Sequence, residues 1–199
     1  MRRYINGKFW FDPETHTYGL GEQPLGGFSE VFKSLGLAGN NRFYTEEGRD
    51  RGQAVHLLCQ AHDEGREIDI SKIEDAKTLG RFQAYKRFRE ETGFLPDQIE
   101  IPVFNAPLLI ACTPDRTGRL NDVLVIVDLK GGAKAAWHSW QTSWQGLCLF
   151  PDNAFNVPRY ALYLKDSGRY KLEPHEDQHD FEVARSVAIV YNAKRSLTS

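Results

Sequence analysis

Cysteines and long apolar runs are scarce in this sequence. The three cysteines, Cys59, Cys112 and Cys148, are far apart and form no CxxC pair. This argues against a disulfide framework and leaves no ligand set for a zinc ribbon or an iron–sulfur cluster. The N-terminus has no apolar segment of signal-peptide length, and no apolar run approaches the roughly 18 residues of a membrane span. We therefore expect a cytoplasmic protein with no membrane partner and no iron–sulfur cluster.

An excess of positive charge is also lacking. The 199 residues include 25 Lys and Arg against 27 Asp and Glu, for a formal net charge of -2. This argues against a uniformly cationic coat for nucleic acid or membranes, but it allows a local basic groove, because net charge does not describe charge distribution. The length favours one domain with one core, and the composition is that of an ordinary globular protein.

The residue patterns predict helices on either side of a strand-rich middle. Aromatic clusters broken by turn residues over 4–18 predict a hairpin or an irregular lid. Helices are predicted over 29–36 with Ser29 as N-cap, over 46–63, from a capping box at 71–74 to Gly93, over 135–150, and around 181–191. Strands are predicted over 98–104, 108–112, 123–130, 159–165 and 169–172. The strand over 123–130 is apolar on both faces, which is typical of a central strand.

This central strand ends in two charged residues. Asp128 and Lys130 are two positions apart, so both point to the same face of the sheet. Burying an acid and an amine is unfavourable unless they pair or hold a cation. A structural ion pair explains the pattern as well as a functional site does.

A second acid precedes this strand. If Thr113-Pro114-Asp115-Arg116 pairs with the central strand across a turn at Gly118 and Asn121, Asp115 lies close to Asp128. Two neighbouring carboxylates repel each other unless a divalent cation neutralises them. Oxygen ligands without thiolates favour Mg²⁺ or Mn²⁺ over Zn²⁺. With a lysine nearby, the set suits metal-assisted phosphodiester hydrolysis.

Two helices carry further candidates. Gly52 lies one turn before His56 and leaves that imidazole uncovered, although a lone helical histidine is more often structural. Gln141 and Gln145 lie one turn apart beside Trp137, Trp140 and Trp144, whose spacing is typical of a core stripe. The two amides are able to hydrogen-bond a phosphate, a base or a carboxylate.

Taken in chain order, these pieces resemble the PD-(D/E)XK nuclease superfamily, in particular the RecB-like exonucleases of phages and prophages. The matching pieces are Arg51-Gly52-(x3)-His56, Glu100, Thr113-Pro114-Asp115, Asp128-Leu129-Lys130 and Gln141 with the position of Gln145. No single piece is specific, but their order and spacing are. Three positions depart from the family pattern: Cys112, Gly131 and Gln145 stand where glycine, threonine and tyrosine are usual. None of these departures removes a charge that the chemistry needs.

The resemblance implies an α/β fold with a restriction-endonuclease-like core, in which helices flank a mixed central β-sheet. Residues 1–199 would form one nuclease domain with an N-terminal hairpin and helix extension over about 1–45. The implied metal ligands for Mg²⁺ or Mn²⁺ are His56, Asp115, Asp128 and the carbonyl of Leu129. Lys130 would activate water, Gln141 would orient the site, and Glu100 matches a strand acid near the metal in some relatives.

The implied function is a divalent-metal-dependent DNA exonuclease in DNA processing, recombination or repair. Arg49, Arg51, Arg116 and Arg119 flank the motifs and are the candidate DNA contacts. The implied partners are DNA and a phage single-strand annealing or recombination protein, and a homo-oligomer is compatible with the resemblance. Two other interpretations remain open at this point: a non-catalytic nucleic-acid-binding module that retains the fold, and a structural protein in which Asp128 and Lys130 only form an ion pair.

Overall fold

The structure is a computed structural model that describes residues 1–37 and 45–197. The predicted extension over about 1–45 includes residues 38–44, which lie outside the described residues. The strands are β1 (Arg3–Asn6), β2 (Phe9–Asp12), β3 (Thr17–Leu20), β4 (Gln23–Gly27), β5 (Leu95–Ile99), β6 (Val103–Asn105), β7 (Ile110–Cys112), β8 (Arg116–Leu120), β9 (Val123–Lys130), β10 (Arg159–Leu164) and β11 (Tyr170–Pro174). The α-helices are α1 (Phe28–Ser34), α2 (Glu46–Asp63), α3 (Ala76–Thr92), α4 (Trp137–Leu149) and α5 (His179–Ser196).

These described elements form two mixed sheets flanked by five helices, so the predicted α/β class is confirmed at this level. The first sheet has the strand order β1-β2-β3-β4-β7-β6. Its first four strands form an antiparallel meander that contains the hairpin predicted over 4–18. β4 then pairs in parallel with β7, which joins the N-terminal strands to the segment that leads to Asp115.

The second sheet has the strand order β11-β10-β9-β8-β5, with β9 at its centre. β9 is antiparallel to β8 and parallel to β10. Val125, Val127 and Leu129 are buried in one hydrophobic cluster, whereas Ile126 and Asp128 are buried on the other face. The predicted central strand is therefore confirmed with its predicted bounds.

Helices cover both faces of β9. α2 and α3 supply Val55, Cys59, Phe82 and Phe88 to the cluster on the face of Val127, and each such buried side chain contributes on the order of 1.5–3 kcal/mol of transfer free energy. α4 packs on β9 and β10 from the other side and shares a second cluster with α1 and α5. Asp128 and Lys130 therefore point towards α4.

Two predicted helix starts are wrong. α1 begins at Phe28 with Gly27 as its N-cap, so Ser29 lies inside the helix. The capping box at 71–74 does not open α3, because Asp69 binds both the N–H and the hydroxyl of Ser71 in a short 3₁₀ turn. α3 begins only after Asp75, whose carboxylate accepts hydrogen bonds from the first turn, and it ends at Gly93 as predicted.

The strand predicted over 98–104 is also wrong as a single element. β5 and β6 belong to different sheets, and the chain changes direction between them at Glu100, which has a φ of 52°. Alternating apolar residues before and after this break gave the appearance of one strand. Within the described ranges, no helix combines the length and the apolar composition that a membrane crossing needs.

Candidate metal centre

The hairpin of β8 and β9 places the two predicted aspartates side by side. Arg116 pairs with Val127 in this antiparallel register, so Asp115 and Asp128 occupy the next pair of positions. The Asp115 carboxylate accepts a hydrogen bond of 2.6 Å from the backbone N–H of Leu129. The predicted proximity of the two acids is therefore confirmed.

The turn of this hairpin differs from the predicted one. Asn121 and Asp122 form it with φ values of 51° and 64°, a conformation that Asn and Asp tolerate well. Gly118 lies inside β8 instead, where an added Cβ would come within 2.2 Å of the Leu95 carbonyl oxygen. The glycine thus permits the close approach of β5 and is not part of the turn.

His56, Glu100 and Asp115 form a compact group, which we call the acid–histidine cluster. Their candidate ligand atoms all lie within 4.8 Å of one another. His56 Nδ1 is 3.2 Å from Glu100 Oε1 and 3.6 Å from Asp115 Oδ1. The bend at Glu100 is fixed by its N–H, which donates to the Asp115 carbonyl at 3.2 Å. Three segments far apart in sequence therefore converge here.

Asp128 and Lys130 are held from α4, beside this cluster. Gln145 Nε2 donates to Asp128 Oδ1 at 2.8 Å, and Lys130 Nζ donates to Gln141 Oε1 at 2.8 Å. Lys130 also forms an ion pair with Asp128 Oδ2. The shared face predicted for Asp128 and Lys130 is confirmed, although Asp128 is not among the three residues of the acid–histidine cluster. The role of the Leu129 carbonyl stays a prediction.

The electrostatics of the acid–histidine cluster favour added positive charge. Burial, together with Asp128 and Glu100, raises the pKa of Asp115 to about 7 although His56 opposes the shift. Burial alone would lower the pKa of His56, but the carboxylates of Asp115, Glu100 and Asp128 raise it to about 9. Protons on these side chains therefore compensate for a local excess of acids.

The donor set fits a hard divalent cation. Carboxylates and one imidazole, without a thiolate, suit Mg²⁺ or Mn²⁺. Asp128 Oδ2 is buried and contacts the Lys130 ammonium as an ion pair. An ionised carboxylate has about four lone-pair sites, so Asp128 is able to accept a cation in addition to this contact. The same Lys130 contact is the ion pair that the structural interpretation expects.

The candidate DNA-contacting arginines occupy different environments. The prediction that Arg116 contacts DNA is wrong. Its side chain is fully buried and bound to Asp63, so it offers no surface to DNA. Arg119 is exposed, but it lies three residues further along β8, about 10 Å from the aspartate end of the strand. Arg51 is held between Glu47 and Asp75, whereas Arg49 is exposed beside Asp50.

The other helical candidates divide between core and site. Trp144 is fully buried, and Trp137 and Trp140 pack against the same cluster, as their spacing predicts. The Trp137 ring also lies 5.6 Å from Lys130 Nζ. Around Gly52, an added Cβ would meet no atom within 4 Å, so the space beside this turn of α2 is open; the His56 side chain itself is about one-third exposed.

Sequence reasoning left the partner of Gln145 open and missed the role of Asp63. The sequence allows the Gln145 amide to bind a phosphate, a base or a carboxylate, and in the structure this amide donates to the Asp128 carboxylate. Asp63 ends α2 and binds Arg116, Arg89 and Tyr85. No local pattern indicates that role, because its partners are distant in sequence.

No protein-family model matches the chain, and no curated protein matches it either. A function must therefore be inferred from the chemistry of these side chains. Two adjacent buried acids, a further acid with an imidazole, and a lysine held between an aspartate and a glutamine are able to bind a divalent cation and to stabilise developing negative charge.

Proposed function

We propose that the chain is a divalent-metal-dependent DNA nuclease of the PD-(D/E)XK superfamily, with a restriction-endonuclease-like core. The observation that carries this proposal is the convergence of the acid–histidine cluster with Asp128 and Lys130 at one end of the β8–β9 hairpin. These side chains come from α2, a bend, a strand start and a strand end. An ion pair for structural purposes alone needs only Asp128 and Lys130.

The proposal assigns a role to each side chain. Asp115, Glu100 and His56 would hold Mg²⁺ or Mn²⁺, with Asp128 and the Leu129 carbonyl as further ligands. The bound cation would activate a water and stabilise the charge of a phosphodiester under attack. Gln145 keeps the Asp128 carboxylate in place through its amide.

Lys130 is the cationic side chain that the proposal places beside the reacting phosphate. Gln141 fixes its ammonium group, and the Trp137 ring limits the positions that it can reach. An ammonium held in this way is able to stabilise a pentacovalent phosphate or to orient the attacking water. The lysine therefore has a preorganised position before any substrate binds.

The finer assignments belong to the same proposal. The protein would act in the cytoplasm as a phage or prophage exonuclease, with DNA as substrate and a single-strand annealing or recombination protein as partner. The resemblance in motif order supports these assignments. An exonuclease would degrade linear DNA and spare closed circular DNA of the same sequence.

The direct test is hydrolysis of linear and circular DNA by the purified protein with Mg²⁺ or Mn²⁺. Asp128→Asn removes one buried charge while preserving shape, and we expect at least a ~100-fold loss of rate because a metal or transition-state contact is lost. Asp122→Asn in the turn of the same hairpin is the matched control and should retain wild-type activity.

Three outcomes contradict the proposal. Equal activity of wild type and Asp128→Asn would assign the hydrolysis to a contaminant. DNA binding without cleavage across the metal series would favour the non-catalytic binding module. Absence of Mn²⁺ binding in calorimetry would favour the structural interpretation of Asp128 and Lys130.

A further inference from the structure

A cavity of about 230 Å³ lies between the N-terminal strands and α4. We call it the α4 cavity; it is lined by Thr15, His16, Tyr18, Gly27, Phe28 and Ser29, with Glu30, Cys112, Thr113, Gln141 and Gln145. Gln141 binds Lys130 and Gln145 binds Asp128. One glutamine side chain therefore separates the α4 cavity from each of Lys130 and Asp128, to which the proposed function assigns roles in hydrolysis.

The walls of the α4 cavity are polar but carry no permanent positive charge. No Lys or Arg is among the lining residues, and burial lowers the pKa of His16, which favours its neutral form. A phosphate group would find no cation here and one acid, Glu30. A ligand for this cavity therefore carries no negative charge.

Gln141 presents hydrogen-bond donors to the cavity. It is one of the lining residues and is only partly buried. It uses Oε1 for Lys130, so its amide N–H groups are not needed for that bond. Such a donor matches the acceptors on the edge of a nucleobase.

Aromatic walls and size point to the same ligand. Phe28 and Tyr18 are among the lining residues, and flat bases pack well against aromatic side chains. A volume of about 230 Å³ is below the roughly 300–1,000 Å³ of sites for whole drug-sized ligands. One base fits such a space better than a base pair does.

We propose that the α4 cavity receives a single nucleobase of a DNA end whose backbone lies at the metal centre. This inference rests on the proposed nuclease function and adds that one base leaves the stack before hydrolysis. Taking a base out of the duplex is easiest at an end. The N-terminal strands thereby become part of the substrate site.

The test uses a substitution at the rim of the cavity. Ser29 lines the α4 cavity and is exposed, so Ser29→Trp is expected to fold and to fill the entrance. Ser34→Trp is the matched control, because Ser34 is exposed at the other end of α1 and does not line the cavity. Thermal unfolding of both variants checks that they are folded.

Steady-state cleavage is measured on oligonucleotides with an abasic residue at each of the first three positions from either end. For the wild type we expect one abasic position to raise KM about tenfold, the order expected for a lost base stack. Ser29→Trp should raise KM for intact DNA by a similar factor and should show no further loss on that abasic substrate. Ser34→Trp should behave as the wild type.

A binding assay separates failure of this inference from failure of the nuclease function. Asp128→Asn is mixed with DNA that carries 2-aminopurine at each of the same positions, and fluorescence reports unstacking without hydrolysis. We expect a change at one position that Asp128→Asn/Ser29→Trp lacks. If the wild type cleaves DNA but neither the abasic residue nor Ser29→Trp changes KM, the base site is refuted and the nuclease proposal stands. If no DNA is cleaved, the nuclease proposal fails, and unchanged fluorescence refutes the base site as well.

Discussion

At the scale of single residues, Gln145 holds the buried Asp128 carboxylate through one amide hydrogen bond. Gln145→Met keeps the length of the side chain but removes the donor, so Asp128 loses its orientation. We expect the Mn²⁺ dissociation constant to rise about tenfold or more, as is usual when the partner of a metal ligand is removed. Titration calorimetry measures this constant directly.

A comparison with the other glutamine sharpens this prediction. Gln141→Met should leave Mn²⁺ affinity nearly unchanged and lower kcat, because Gln141 contacts Lys130 and no candidate ligand. Gln83→Met, on the exposed side of α3, should change neither quantity. Equal Mn²⁺ affinity of the Gln145→Met variant and the wild type would show that Asp128 does not bind the ion.

Arg116 has a structural role that predicts a loss of stability on substitution. Its Nε donates to Asp63 at 2.6 Å, and both side chains are fully buried. Arg116→Met removes one partner of the buried Asp63 carboxylate, so the free energy of unfolding should fall by about 3 kcal/mol. Urea denaturation measures this change; the exposed Arg119→Met in the same strand should change it by no more than ~0.5 kcal/mol. An Arg116→Met protein as stable as the wild type would contradict the structural role of this buried pair.

The sequence allowed the prediction of site residues whose neighbours are local. One hairpin and the two-residue period of a strand are enough to predict that Asp115, Asp128 and Lys130 lie together. The order of the motifs adds Gln141. The environment of Arg116 depends on Asp63, 53 residues away. A guanidinium is usually exposed, so only the three-dimensional packing reveals this buried pair.

At the scale of helices and strands, two helical glycines give opposite predictions. Gly52 in α2 has no atom within 4 Å of an added Cβ, whereas at Gly80 in α3 the Asp166 carbonyl oxygen would be 1.9 Å away. Gly52→Ala should raise the free energy of unfolding by about 0.5–1 kcal/mol through helix propensity. Gly80→Ala should lower it, because α3 must move away from the turn between β10 and β11.

Denaturation and cleavage assays on both variants check this pair. Gly52→Ala should also slow DNA cleavage, because the added methyl group narrows the open space one turn from His56. Stabilisation without any change in rate would mean that substrate does not use this space. Stabilisation of Gly80→Ala would contradict the packing of α3 on the Asp166 turn.

Local patterns predicted the existence of these elements better than their ends. The bounds of α2 and β9 follow from sequence because apolar periodicity and terminal residues agree there. At α3 two capping patterns compete, and Asp69 uses the hydroxyl of Ser71, which leaves Asp75 as the cap. The break at Glu100 depends on its hydrogen bond to Asp115, a contact that periodicity does not encode.

At the scale of the whole molecule, the acid–histidine cluster links pH, metal binding and stability. The pKa of Asp115 is raised to about 7 and that of His56 to about 9. Both raised values stabilise the metal-free fold at low pH and lose that contribution as pH rises, for Asp115 between about 4 and 7 and for His56 between about 6.5 and 9. A cation must displace these protons, so its affinity should increase over pH 6–9.

Thermal unfolding with and without Mn²⁺ across this range checks the linkage. The metal-free protein should lose stability as pH rises, and the stabilisation by Mn²⁺ should grow. Calorimetry in buffers of different ionisation enthalpy should detect release of up to about two protons per ion at pH 6, since both groups are largely protonated there. Affinity that is independent of pH would place the ion away from His56 and Asp115.

The arrangement of the two sheets was only partly predictable. The central position of β9 follows from its apolar faces, but the parallel pairing of β4 with β7 joins residues near 26 and 110. Short edge strands carry weak patterns, and their partners are set by tertiary packing. The N-terminal strands therefore looked like an appendage in sequence although they line the α4 cavity.

The order of the segments along the chain determines when the centre can assemble during synthesis. Asp115 and Asp128 leave the ribosome before the glutamines of α4, and β10, the parallel neighbour of β9, begins only at Arg159. At ~5–20 residues per second, translation separates these events by seconds. A nascent or prematurely terminated chain that ends before α4 thus carries the acids without the side chains that hold them. The proposed metal centre should be inert until most of the polypeptide has been made.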